Sequence, residues 1–210
     1  AGGVWEGVGG IDKAGAGIVV GVVDTGISPE NPSFAGDPLS TTPSDTQPYL
    51  AAGTDADGAA VTQVVYKKSD GGEFRSTVVD KPGAGKDAWS AAQYSTKLVG
   101  AQYFSEGAAA TGFSFAYDYL SPRDGAGHGS HTASTAAGNN GVDATVEGVD
   151  FGAISGVAPA AKVAAYKACY DGPDPLVTTD DICALSDLLG AIDQATADGV
   201  DVINYSIGGG

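Results

Sequence analysis

Apolar residues in this chain gather in short runs. AGIVVGVV (16–23) is rich in β-branched residues, with glycine before it and polar residues after. A run of this kind predicts a strand buried on both faces, as parallel sheets require. KLVGAQYF (97–104), KVAAYKA (162–168) and VDVINYSI (200–207) read as three further strands. Between the last two, Ile182, Leu185, Leu188, Leu189 and Ile192 recur at helical spacing. Thr178 or Thr179 suits the N-cap of that helix, and Asp180 and Asp181 suit its positive end. Gly199 stands where a left-handed C-terminal cap belongs. The tail thus reads strand–loop–helix–strand, a βαβ unit with a right-handed crossover expected. A shorter helix of small residues is predicted over 131–137, closed by Gly138 and Asn139.

Residues 35–95 follow another pattern. They are rich in Gly, Asp, Ser and Thr, with two weakly alternating runs, VTQVVYKK and FRSTVV. A surface insertion folded as a hairpin is expected there. Outside it, strands alternate with helices, which predicts an α/β fold on a mainly parallel sheet.

A chain of 210 residues can bury one hydrophobic core. No apolar run has the length to cross a bilayer, so a soluble protein without a membrane partner is expected. The opening AGGVWEGVGG has no signal-peptide pattern and reads as part of a mature domain. The net charge is -16, and Arg75 and Arg123 are the only arginines. No basic stripe is available to meet phosphates, which argues against nucleic acid as a partner. The acidity is spread along the chain and reads as a solvated surface.

Cys169 and Cys183 flank the loop YDGPDPLVTTDDI. Bridged, a loop of that size is worth roughly 3 kcal/mol and points to an oxidising compartment. Unbridged, the two are buried thiols of a cytosolic protein.

Candidate chemistry begins at Asp24, at the carboxyl end of the first strand, where open α/β sheets place ligands. Asp-Thr-Gly is also ordinary turn chemistry. RDGAGHGSHTASTAAGN (123–139) holds both histidines, His128 and His131. A zinc site would need further ligands, and the spacing is not the His-x-x-x-His of zinc peptidases. A general base held by Asp24 is the second reading. A purely structural pair is the third, and the histidines alone do not choose.

Taken together, GIVVGVVDTGISPENPSF, RDGAGHGSHTASTAAGN and INYSIGG resemble, in order and spacing, the subtilisin-like serine peptidases, or subtilases. The plant cucumisin-like enzymes and their bacterial relatives are the nearest branch. YSTKLVGAQYF and DICALSDLLGAIDQATADGVDVINYSIGG are similar to it as well. The resemblance implies that Asp24 is the catalytic aspartate, His128 the catalytic base and His131 a structural residue. It implies that Ser206, Ile207 and Gly208 lie on the strand that pairs with substrate backbone. It implies a Cys169–Cys183 disulfide. The expected fold is three-layered, a mainly parallel sheet with helices on both faces.

The family's nucleophile lies in Gly-Thr-Ser-Met-Ala, and this sequence has neither Met nor Gly-Thr-Ser. Asn139, Asn140 and Asn204 do not match the oxyanion asparagine. Residues 1–210 are therefore expected to form the first part of one catalytic domain, inactive alone and completed by a remainder that carries Ser and Asn. The implied parent is a secreted endopeptidase acting on peptides or proteins, with no cofactor needed for the chemistry. Structural calcium is compatible with the family, and Asp171, Asp174, Asp180 and Asp181 gather near the cysteine loop, although a solvated acidic loop is the simpler reading. An inactive subtilase-like scaffold that binds extended peptides is the alternative. An aspartic peptidase is the remaining option, and it would need a second carboxylate from a dimer partner.

Overall fold

The computed structural model describes residues 3–55, 57–174, 177 and 179–208. A short exposed helix, α1 (Val4–Gly7), precedes the first strand, β1 (Val19–Asp24). All six residues of β1 are buried, as a β-branched run in a parallel sheet should be. The strand starts later than its sequence pattern, because Ile18 N–H closes a turn onto Gly15 C=O.

Three antiparallel strands follow: β2 (Tyr49–Thr54), β3 (Ala60–Lys67) and β4 (Glu73–Thr77). The expected hairpin corresponds to β3 and β4. The strand β2 escaped the pattern, since YLAAGT has small residues and no alternation. Val64, Val65, Tyr66 and Phe74 of this sheet are buried.

The chain continues through β5 (Leu98–Tyr103), α2 (Glu106–Ala110) and α3 (His128–Ala137). A hairpin of β6 (Val142–Val146) and β7 (Val149–Ile154) comes next. After β8 (Lys162–Lys167), two-residue strands β9 (Cys169–Tyr170) and β10 (Ile182–Cys183) pair antiparallel. The chain ends its described part with α4 (Leu185–Asp198) and β11 (Val202–Tyr205).

The central sheet has the order β11–β1–β8–β5, and all its neighbours are parallel. The unit β8–α4–β11 therefore spans β1, which lies between its two strands. This places β1 inside the sheet and Asp24 at its carboxyl end, in register with Lys167. Both α3 and α4 pack against β1 and β8. On α3 the buried positions are Gly129, Ser130, Ala133 and Ala137, all small, so the helix approaches the sheet closely. The fold is thus α/β with a mainly parallel central sheet.

The helix α4 departs from its sequence pattern at its start. Ile182 and Cys183 belong to β10, so the helix begins at Leu185 with Ala184 as N-cap and no side-chain cap bond. Thr178 lies outside the described residues, and Thr179 is not the cap. Asp180 Oδ2 accepts from Asp174 N and Asp181 Oδ1 from Gly172 N, so these carboxylates brace the loop instead of the helix. Leu188, Ala191 and Ala195 are buried, while Leu185 and Leu189 are exposed. Gly199 does cap the helix in the left-handed region, with φ 86°.

Candidate active site

Asp24 and His128 meet although 104 positions separate them. Asp24 is brought by the end of β1, and His128 opens α3. The imidazole Nδ1 lies 2.6 Å from Asp24 Oδ1. The carboxylate is 1% exposed, and the His128 side chain is 50% exposed. A buried carboxylate thus holds one ring nitrogen while the rest of the ring faces outward. Oδ1 of Asp24 also accepts from Thr25 N at 2.8 Å, and Thr132 Oγ1 lies 3.1 Å from Oδ2.

The close approach of β1 to α3 depends on two glycines in contact. A Cβ on Gly129 would stand 2.3 Å from Gly26 O. The turn after β1 is further zipped to the segment before α3. Ile27 N donates to Pro122 O at 3.0 Å, and Asp124 N donates to Ile27 O at 3.1 Å.

His131 is exposed on α3 in this chain. It stands one turn past His128, on a neighbouring part of the helix surface. The side chains of His128 and His131 do not share a partner. Among the described residues, no group of three or more His, Cys, Asp or Glu converges to hold a metal ion. Asp171, Asp174, Asp180 and Asp181 do not form such a centre, and one oxygen each of Asp180 and Asp181 accepts from a loop N–H group.

A cavity of about 870 Å³ opens beside His128. Its walls include Thr25, Leu188, the Cys169–Cys183 pair and the segment Tyr205 to Gly208. Ser206, Ile207 and Gly208, which directly follow β11, therefore border the same space as the imidazole. Cys169 and Cys183 are joined in a disulfide across β9 and β10. Asp171, also on the wall, has its carboxyl pushed up to about 6, by burial first and then by the nearby Asp118 and Asp181.

Several participants were not singled out by sequence reasoning. Asp124 and Ser130 form a buried network with Thr25 next to the histidine. Lys167 and Asp118 form an ion pair beneath it. Asp124, three positions ahead of a glycine-capped helix, carried a signal of a possible capping role. Nothing local in KVAAYKA marks Lys167 as buried.

A buried carboxylate, a half-exposed imidazole and an adjoining cleft can together orient and stabilise a general base. Residues 15–210 match the subtilase family. Subtilisin-like protease SBT2.5 of Arabidopsis thaliana is 39% identical over 206 residues, which is 98% of this chain and 20% of that protein. Subtilisin-like protease SBT2.2 of the same plant is 38% identical over 98% of this chain and 20% of its own length. Subtilisin-like protease SBT1.6 is 35% identical over 93% of this chain and 21% of its own. The chain spans about a fifth of the length of these curated relatives.

Proposed function

The chain belongs to the subtilase family, and on that footing we propose that it supplies the aspartate and the histidine of a serine endopeptidase. The observation that carries this reading is the 2.6 Å contact between Asp24 Oδ1 and His128 Nδ1. Asp24 accepts a hydrogen bond from Nδ1–H, which fixes the tautomer and leaves Nε2 as the base. The nucleophilic serine and the oxyanion asparagine belong to the rest of the parent protein. The order Asp, His, Ser along the chain is the one found in subtilisin.

In the proposed reaction the serine oxygen attacks the scissile carbonyl carbon, and His128 takes the hydroxyl proton. His128 then gives that proton to the leaving amine as the C–N bond breaks. Water, deprotonated by His128, attacks the acyl-enzyme ester, and serine recovers its proton. Ser206, Ile207 and Gly208 pair with the substrate backbone as an added strand, and their position on the cavity wall supports this. Residues 1–210 are read as the first part of one three-layer catalytic domain, with helices on both faces of the sheet. Residues 35–95 are read as an insertion into it. The disulfide supports a secreted protein.

The test is His128→Ala in the full-length protein. Peptide cleavage should fall about a million-fold, the loss known from subtilisin when the equivalent group is removed. Retained turnover overturns the assignment. If the unaltered full-length protein binds peptides without cleaving them, and takes no label from a fluorophosphonate, it is an inactive peptide-binding scaffold instead.

A further inference from the structure

The first turn of α3 has no cap of its own. Its N-cap residue is Gly127, held in the left-handed region at φ 85° and without a side chain to give. The exposed N–H groups at a helix start must nevertheless find acceptors. Here they find them on two residues outside the helix. Ser130 N donates to Asp124 Oδ2 at 2.8 Å, and Gly129 N donates to Thr25 Oγ1 at 2.8 Å.

These two acceptors are themselves joined. Thr25 Oγ1 donates to Asp124 Oδ1 at 2.9 Å. Asp124 Oδ1 also accepts from Gly127 N at 2.8 Å, and Oδ2 accepts from Ser130 Oγ at 2.6 Å. Ser130 Oγ in turn accepts from Ser28 N at 3.0 Å. Asp124 is 8% exposed, and both of its oxygens act only as acceptors. Burial would raise its pKa, but the hydrogen bonds from Ser130, Gly127 and Thr25 outweigh this and hold it below the usual value.

The network has a particular placement. Thr25 directly follows Asp24, and the three N–H groups it serves belong to Gly127, Gly129 and Ser130, which bracket His128. The strand end that carries the carboxylate and the helix end that carries the imidazole are thus tied to one buried side chain.

We propose that Asp124 is a positioning residue that, through Thr25 and Ser130, sets the alignment of His128 on Asp24. This rests on the reading of Asp24 and His128 as catalytic. Asp124 touches neither the imidazole nor the cleft, so its effect passes through the two elements it ties together. An ordinary helix cap would contribute stability alone. A positioning residue must in addition change how the base works.

The experiment uses the full-length protein with Asp124→Asn, Thr25→Val and Thr25→Ser. Active sites are counted by fluorophosphonate titration, and kcat, KM and the pH dependence of kcat/KM are measured. An asparagine amide would turn N–H donors toward Ser130 N–H, which breaks one half of the network. The expected result is a kcat per titrated site about 10²-fold lower for Asp124→Asn, with KM little changed. The acid limb of the profile should move to lower pH, because an imidazolium poorly aligned on Asp24 loses part of its stabilisation. Thr25→Val should reproduce the loss, and Thr25→Ser, which keeps the hydroxyl, should restore most of the activity. If Asp124→Asn does not fold, the contrast between Thr25→Val and Thr25→Ser decides. A lower melting temperature with unchanged kcat per site and an unmoved acid limb overturns the proposal. So do equal activities of Thr25→Val and Thr25→Ser. Turnover by His128→Ala overturns the catalytic reading itself, which separates the two failures.

Discussion

Lys167 and Asp118 form an ion pair in which neither side chain has any solvent exposure, with Nζ 2.7 Å from Oδ1. Lys167 stands in register beside Asp24 on β8, and its ammonium also donates to Arg123 O at 2.9 Å. Asp118 accepts from Asp171 N at 3.0 Å. The pair therefore anchors the loop that leads into α3 onto the carboxyl end of the sheet. Burial lowers the Lys167 pKa, and Asp118 opposes that shift.

Removing one member leaves the other charged and unpaired in the interior. Lys167→Met alone, or Asp118→Asn alone, should cost about 3–5 kcal/mol. The double variant Lys167→Met/Asp118→Leu should recover much of that, since a well-packed apolar pair avoids the desolvation penalty. Urea unfolding of the singles and the double measures it. Singles that unfold like the parent would show that the pair is not held as described.

Lys97 poses a different electrostatic question. It is 5% exposed, and its ammonium donates to Pro159 O and Ala161 O, both at 2.7 Å, and forms no ion pair with a carboxylate among the described residues. Burial first, and then repulsion by Lys162, lowers its pKa to about 7. The folded value lies below the unfolded one, so the unfolded chain binds more protons between about pH 7 and the ordinary lysine value of about 10.4. This residue's contribution to stability should therefore rise with pH across that window and be flat below it. The difference between the stability–pH curves of the parent and Lys97→Met isolates it. A difference curve with no slope from pH 7 to 10 would count against a buried, depressed lysine.

Gly129→Ala inverts the usual helix rule. Alanine normally stabilises a helix interior by about 1 kcal/mol over glycine. Here its Cβ would meet Gly26 O at 2.3 Å, so α3 must move away from the turn after β1. A loss of about 1–3 kcal/mol is expected, as for other overpacked sites. In the full-length protein kcat should fall with it, because the displaced turn carries His128. Thermal unfolding and steady-state kinetics test both parts, and a stabilised, fully active variant would refute the packing argument.

The Cys169–Cys183 bridge ties β9 to β10 on the wall of the cleft. Replacing both cysteines with alanine should cost about 3 kcal/mol, mainly by releasing the unfolded chain. Chemical denaturation with and without the bridge measures the cost. Equal midpoints would mean that the loop gains nothing from being closed.

Strands β1, β5 and β8 of the central sheet could be read from the sequence because each is a local apolar run whose composition matches its burial, whereas β11 carries a similar run but leaves Val202 and Tyr205 exposed. The catalytic candidates could be read because their motifs are compact, Asp-Thr-Gly after a strand and His-Gly-Ser-His at a helix start. The α4 boundary was misplaced for a related reason. Ile182 continues the helical period, but the disulfide commits it and Cys183 to a strand pair with Cys169 and Tyr170. Leu185 and Leu189 fit the apolar stripe and are nonetheless exposed.

Local pattern thus decided the main strands and the two longer helices, and which residue types carry chemistry, since periodicity acts over a few neighbours. Long-range packing decided the rest. It placed β1 between β8 and β11, brought Asp24 to His128, and buried Lys97, Lys167 and Asp124 where no run of neighbours announces it. A charged side chain looks the same in sequence whether it meets water or a partner a hundred residues away. Only the assembled sheet, which sets the distance between those partners, tells the two apart.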